Sequence, residues 1–271
     1  MTPTWRSDDV PAIAPMTARG WLRVVMRGIP LIALIIGGLI LLLILRIVER
    51  PLFGQRRPWT PYVTQTVCRG TLWILRIKRK IKGTPLTQAG AIVANHSSWL
   101  DIFVLNASKR IYFVSKAEVA SWPGIGWLAR ATGTVFIRRN RQEAAAQVDV
   151  FRQRLKAGHR LLFFPEGTST DGQRVLAFKP TLFAAFFDES LKAHMQIQAV
   201  SVRYNPAPDL DSRFYGWWGD MDLAPHLLQL LAAPQRGTVT LDYHPPVRLN
   251  AFDNRKELAR ALEDQTRGGF D

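Results

Sequence analysis

The sequence predicts an α/β protein: a largely parallel sheet flanked by helices, with an N-terminal helical segment that anchors it to a membrane. Three observations predict this. Short β-rich runs recur from residue 90 onward, and helix-like segments lie between most of them. Ahead of them, Ile29 to Val48 is an apolar stretch whose only charge is Arg46. The composition, 47% hydrophobic and 21% charged over 271 residues, fits one large domain plus an appendage.

The elements follow in order. Residues 1–28 are expected to form a mobile N-terminal tail, since their first part is rich in Pro, Thr and Ala with little periodicity. Residues 29–82 are expected to hold a transmembrane helix and an interfacial helix. Leu31 through Leu45 is apolar on every face, as a helix in lipid requires, and Ile29–Val48 is long enough to cross a hydrocarbon core of roughly 30 Å. A helix embedded without fully crossing is the other reading. Arg19, Arg23 and Arg27 precede the segment, and Arg46, Arg50, Arg56 and Arg57 follow it; the excess on the C-terminal side favours a cytoplasmic α/β domain. Residues 59–82 read as a second helix leading into a basic strand, with Trp59, Tyr62 and Trp73 suited to an interface with anionic head groups.

Residues 83–271 form the α/β domain. Strands are expected at Ala91–Asn95, Ile111–Ser115, Thr134–Ile137, Leu161–Phe164, Ile197–Tyr204 and Val239–Tyr243. Helices are expected near 99–108, 119–131, 141–156, 175–190, 222–232 and 253–266. The formal net charge of +15 points to an anionic partner: nucleic acid, an acidic membrane surface, an anionic substrate or an acidic carrier protein. The single cysteine, Cys68, excludes an internal disulfide and a cysteine-based zinc site, and reads as a bystander thiol.

Three stretches carry chemistry. The first is Asn95-His96-Ser97-Ser98-Trp99-Leu100-Asp101, directly after an apolar run. Histidine titrates near neutrality and can act as a general base; a carboxylate on its other ring nitrogen fixes the tautomer and stabilises the imidazolium. His96 and Asp101 would not share one helix face, so the pair fits a strand or loop ending at His96 and a helix, capped by Ser97 or Ser98, that carries Asp101. None of His159, His194, His226 and His244 has an Asp at that spacing. The second stretch, Gly133-Thr134-Val135-Phe136-Ile137-Arg138-Arg139, delivers two arginines to the C-terminal end of a strand, where ligands of open α/β sheets bind. The third, Phe164-Pro165-Glu166-Gly167-Thr168-Ser169-Thr170, is a strand running into a tight turn whose N–H groups and hydroxyls can cradle an anion. Glu166 would repel phosphate, and fits a role orienting an arginine or accepting from a substrate hydroxyl. Gly124-Ile125-Gly126 follows Ser121-Trp122-Pro123 rather than a strand, so it reads as helix packing and not as a dinucleotide site.

In this order, on a membrane-anchored α/β chain, the three stretches resemble the glycerophospholipid acyltransferase family over roughly residues 60–250. The resemblance implies that His96 and Asp101 are catalytic. It implies that Gly133, Phe136, Ile137 and Arg138, and Pro165, Glu166, Gly167 and Thr168, hold the acceptor, with Arg139, Lys116 and Ser169 as further candidates. It further implies fatty acyl transfer from acyl carrier protein or coenzyme A thioesters to a lysolipid hydroxyl at the bacterial inner membrane, with no metal or organic cofactor and no nucleic acid partner.

The expected acceptor is 1-acylglycerol-3-phosphate, giving phosphatidic acid. Two departures bear on it: Phe178-Lys179-Pro180-Thr181 where Phe-Lys-x-Gly is usual, and Ala199 where the fourth block usually carries proline. Arg213-Phe214-Tyr215-Gly216-Trp217-Trp218-Gly219-Asp220-Met221 resembles a branch that includes lyso-ornithine lipid acyltransferases, which makes lyso-ornithine lipid the alternative acceptor. Trp217 and Trp218 would line an acyl channel, sit at the membrane interface or pack in the core. A non-enzymatic, membrane-tethered domain binding an anionic ligand is the third reading.

Overall fold

The structure, a computed structural model, describes residues 4–7, 11, 15–137, 144–193, 195–235 and 237–270. The chain begins its regular structure with α1 (Ala18–Phe53) and α2 (Thr60–Ile74). It continues through β1 (Ile77–Gly83), β2 (Gly90–Ala94), α3 (Leu100–Ser108), β3 (Tyr112–Lys116), α4 (Ile125–Thr132), β4 (Val135–Ile137), α5 (Ala144–Lys156) and β5 (Arg160–Phe163). A 3-10 run (Pro180–Phe187) and α6 (Glu189–Lys192) lead to β6 (Gln196–Asn205), α7 (Leu223–Ala232), β7 (Gly237–Tyr243), β8 (Val247–Arg248) and α8 (Arg255–Gly268).

Among the described residues the strands form one eight-stranded sheet in the order β1-β7-β6-β2-β5-β3-β4, with β8 also paired to β6. β2, β3, β4, β5 and β6 run parallel to one another; β7 and β8 pair with β6 antiparallel. β1 lies parallel to β7 at the edge. Helices cover both faces, so central strands are buried on both sides and read as continuous apolar runs. β2 shows how. Ile92 and Ala94 face the core shared with α1, α2, α3 and α7, while Ala91 and Val93 face the core under α5, the 3-10 run and α8.

Besides the helix expected over 119–131, which is split into a 3-10 turn (Ala117–Ser121) and α4, two expectations change. The tail gives way to helix at Ala18, ahead of Ile29, because Thr17 caps it: its Oγ1 accepts from the Gly20 N–H at 3.0 Å. The helix expected over 175–190 is the 3-10 run Pro180–Phe187 followed by short α6. Phe183 and Phe186 pack on Phe163 there, so ring packing replaces regular α-helical turns.

α1 has 36 residues, about 54 Å of helix at 1.5 Å per residue. Its apolar middle is exposed, including Ile29, Ile32, Ile36, Ile40 and Ile44. Both of its ends touch the rest of the chain. Near the start, Arg23 Nε donates to the Ala232 carbonyl at 2.6 Å and Arg27 Nη1 to the Leu231 carbonyl at 2.8 Å, satisfying the last carbonyls of α7. Near the end, buried Glu49 accepts from the Trp59 and Thr60 N–H groups at 2.8 and 3.1 Å and so caps α2.

Candidate active site

The site forms where β2 leaves the sheet. Asn95 continues the strand with its side chain: Nδ2 donates to the Val202 carbonyl (2.9 Å) and Oδ1 accepts from the Val202 N–H (2.7 Å). This ties the loop to β6 and sets where His96 emerges. The His96 ring lies on Phe164, the residue that follows β5, with centroids 4.0 Å apart and planes 10° apart.

His96 Nδ1 lies 2.8 Å from Asp101 Oδ2. Asp101 has no exposed surface, whereas the His96 side chain is 22% exposed. Asp101 Oδ2 also accepts from the N–H groups of Ser97 (2.8 Å) and Ser98 (3.0 Å), and Oδ1 accepts from the Tyr204 hydroxyl at 2.7 Å. The expected serine contributes a long bond, Ser98 Oγ accepting from the Leu100 N–H at 3.4 Å. The Asp101 carboxylate itself satisfies the amides before α3, at a helix terminus that favours negative charge. With Asp101 on Nδ1, the imidazole carries its proton there and presents the Nε2 lone pair outward.

The third stretch wraps the His96 backbone. Thr170 N–H donates to the His96 carbonyl at 2.9 Å. Glu166 is 1% exposed, and neither carboxyl oxygen has a hydrogen-bond partner. The N–H groups of His96 and Leu176 face it without reaching full hydrogen-bonding geometry. Burial, with the Asp101 charge adding to it, pushes the Glu166 carboxyl up to about 9, so it is neutral at pH 7. The sequence suggested a carboxylate meeting an arginine or a substrate hydroxyl; the structure places a buried acid behind His96 instead. Pro165 is buried as well, its carbonyl accepting from the Lys179 N–H at 2.9 Å. Gly167 has φ 74°, a left-handed conformation that L side chains rarely adopt, so the turn favours glycine there. Ser169 is buried, and Thr168 accepts from the N–H of Trp5 at 3.2 Å.

The second stretch is divided. Ile137 pairs with Lys116 where β4 and β3 end, the end of the sheet from which His96 and Glu166 also emerge. Phe136 and Ile137 are half-buried. Gly133 sits at the opposite end of β4. It closes α4 with φ 86°, under the Arg57 guanidinium, and faces away from His96's end of the sheet. Arg138 and Arg139 lie outside the described residues. Trp218 is a core residue at 1% exposure, and the Trp217 N–H holds the Ser97 carbonyl at 2.8 Å.

Sequence reasoning missed four contributors. Tyr204 reaches Asp101 only through the pairing of β6 with β2. Phe164 opened the third stretch, but nothing local marked it as a platform for His96. Lys179 was noted only as the lysine of a Phe-Lys-x-Gly stretch whose glycine is Thr181 here. Trp5 lay in the expected tail; it packs on Trp218 with centroids 6.1 Å apart, under Arg174 at 5.2 Å, while Arg6 pairs with Asp220 at 3.0 Å.

A histidine held by a buried carboxylate at the C-terminal edge of a parallel sheet is an arrangement that can take a proton from an attacking hydroxyl. Comparison with known proteins specifies the class. The family model described as Acyltransferase matches residues 78–203. A lyso-ornithine lipid O-acyltransferase of Rhodobacter capsulatus is 51% identical over 99% of this chain and 97% of its own. A 1-acyl-sn-glycerol-3-phosphate acyltransferase of Neisseria meningitidis is 36% identical over 50% of this chain and 53% of its own. The crystal structure of a 1-acyl-sn-glycerophosphate acyltransferase from Thermotoga maritima superposes with a TM-score of 0.64 at 22% identity, covering 92% of this chain and 94% of the other, which establishes the shared fold. The chain belongs to the acyltransferase family and is an O-acyltransferase, which disposes of the non-enzymatic reading.

Proposed function

We propose that this enzyme transfers a fatty acyl group from an acyl carrier protein or coenzyme A thioester to the free hydroxyl of lyso-ornithine lipid. The observation that carries the chemistry is the His96–Asp101 contact of 2.8 Å with Nε2 left facing outward. His96 Nε2 takes the hydroxyl proton as the oxygen attacks the thioester carbonyl. The new C–O bond forms, the C–S bond breaks, and the imidazolium returns the proton to the departing thiolate. Asp101 holds the imidazolium between these steps, and base assistance of this kind is typically worth about 10²–10⁴ in rate.

The acceptor reading rests on similarity running almost end to end with a lyso-ornithine lipid enzyme, against half the chain for a glycerophosphate one. This reorders the two acceptors that the sequence suggested. Lyso-ornithine lipid carries a carboxylate and an ammonium in place of a phosphate. Arg138, Arg139 and Lys116 would then meet a carboxylate, with Phe136, Ile137 and the Gly167–Thr168 turn shaping the pocket around it. Membranes containing the enzyme, offered a labelled acyl thioester with each lysolipid separately, test this. Transfer to lyso-ornithine lipid supports it; transfer to lysophosphatidate alone moves the assignment.

We also infer that α1 lies along the domain, embedded in the inner membrane from the cytoplasmic face, since both of its ends dock on the same α/β body. Exposed Trp73 on α2 and Trp127 on α4 suit the interface beside it. Cysteines placed at Arg19 and Gln55 should react from the same side of the membrane; labelling from opposite sides would contradict this.

A further inference from the structure

Away from His96, the end of α1 meets α4 and α5 at a cavity of about 770 Å³. Five guanidinium groups line it: Arg46, Arg50, Arg57, Arg130 and Arg154. Among the described residues, Glu49 is the carboxylate beside them, and it is already spent. Its oxygens accept from the Trp59 and Thr60 N–H groups, the Thr60 hydroxyl and Arg46.

Arg57 and Arg154 are held by neutral groups. Arg57 Nη1 donates to the Ala131 carbonyl at 2.8 Å and Arg154 Nη2 to the Gly133 carbonyl. Carbonyls orient a cation without cancelling its charge. Arg154 is only 9% exposed, and its Nε has no acceptor. A buried cation with an unsatisfied donor is costly unless an anion completes it. His159 registers the surplus: burial and the charges of Arg154, Arg57 and Arg46 hold it down to about 3.

Apart from Gln55, the remaining walls are apolar or backbone. Leu43 and Ile47 come from the exposed face of α1, so the cavity opens beside the surface that meets lipid. A phosphate among the arginines, with acyl chains lying along α1, matches both halves. Arginine suits it because its planar fork donates in pairs, and basic pockets beside membrane helices bind anionic head groups. The place is distinct from the acyltransfer site. β4, which Gly133 precedes, lies three strands from β2 across the sheet, about 14 Å at normal strand spacing.

We propose that this arginine-lined cavity binds the phosphate of an anionic membrane lipid at a site separate from the acceptor and donor. The shared chemistry is a phosphate oxyanion gripped by guanidinium groups, which a free phosphate ion could also supply.

The test uses the full-length protein in uncharged detergent, titrated with dihexanoylphosphatidylglycerol, dihexanoylphosphatidylcholine or inorganic phosphate. The variants are Arg50→Gln/Arg130→Gln, on exposed helix positions, and Lys78→Gln/Lys80→Gln on β1, which removes equal charge elsewhere. Unchanged melting temperatures without ligand show that both variants fold. The proposal expects saturable phosphatidylglycerol binding, tighter than phosphatidylcholine, and weakened about tenfold or more by the arginine pair, since each charge-assisted hydrogen bond is worth at least about a factor of ten. The lysine pair should leave it unchanged. Inorganic phosphate binding as tightly, with the same loss, would overturn the lipid assignment and leave a phosphate-ion site. Phosphatidylglycerol binding that is absent, indifferent to the arginine pair or equally weakened by the lysine pair would overturn the site itself.

Discussion

Asp101→Asn isolates charge from geometry at the centre of the site. Asparagine has the same shape. Its carbonyl can occupy the Oδ2 position and keep the Ser97 and Ser98 N–H groups, and its amide then faces Tyr204, whose hydroxyl can turn to accept. What disappears is the negative charge beside the imidazolium. With Asp101 Oδ2 at 2.8 Å from Nδ1, the charge centres sit roughly 4 Å apart; at an effective dielectric of about 20 their attraction is about 4 kcal/mol. At about 1.4 kcal/mol per decade, kcat should fall about 10³-fold. The acceptor KM should stay within about twofold, because Asp101 is buried away from the acceptor and the lost interaction is made as the proton moves. Turnover of a labelled acyl thioester by purified enzyme reads both constants, with the melting temperature as a check on folding. A folded Asp101→Asn enzyme retaining more than a tenth of wild-type kcat would refute the reasoning.

Three further outcomes are expected. Tyr204→Phe removes the donor to Asp101 Oδ1 and should cost about 1.5–3 kcal/mol of stability, read by denaturant midpoint, and about tenfold in kcat, because Oδ2 keeps its three N–H donors. Glu166→Gln should be increasingly more stable than wild type as pH rises from about 5 to 9. The raised carboxyl keeps its proton in the fold while the unfolded chain ionises above the usual carboxylate range, so wild-type stability falls across that window by up to about 1.4 kcal/mol per pH unit; parallel denaturation curves for the two proteins would contradict this. Trp5→Ala loses the indole packing on Trp218 and Arg174 beside Thr168, and should raise the acceptor KM several-fold with the donor KM unchanged; no change in either would remove residues 4–7 from the site.

The His96–Asp101 contact was legible because it is local: a strand end, a histidine and a carboxylate within one short stretch. The alternation of apolar runs revealed the sheet for the same reason, since strands buried on both faces cannot be polar. What escaped depends on distant pairing or on burial. Tyr204 is brought to Asp101 by strand register, and Trp5 to Thr168 across 163 residues of sequence, which no periodicity encodes. Glu166 was recognised as a site residue, yet its role was misjudged, because an isolated carboxylate reads as charged until its surroundings are known to be apolar. Gly133 matched a binding motif, but its positive φ and its place under Arg57 show a helix terminus next to the arginine cavity. The break at Pro123-Gly124 splits the helix expected over 119–131, leaving a 3-10 turn (Ala117–Ser121) and α4.

The central claim is that His96 supplies the base for acyl transfer to a lysolipid hydroxyl. It is tested most directly by comparing wild type and His96→Ala, at equal amounts of folded, membrane-bound protein, for transfer from a labelled acyl thioester to lyso-ornithine lipid. The account predicts steady product with wild type and a loss of at least about 10²-fold with the variant, at saturating acceptor. Product formed by His96→Ala at a rate within a few-fold of wild type would contradict it.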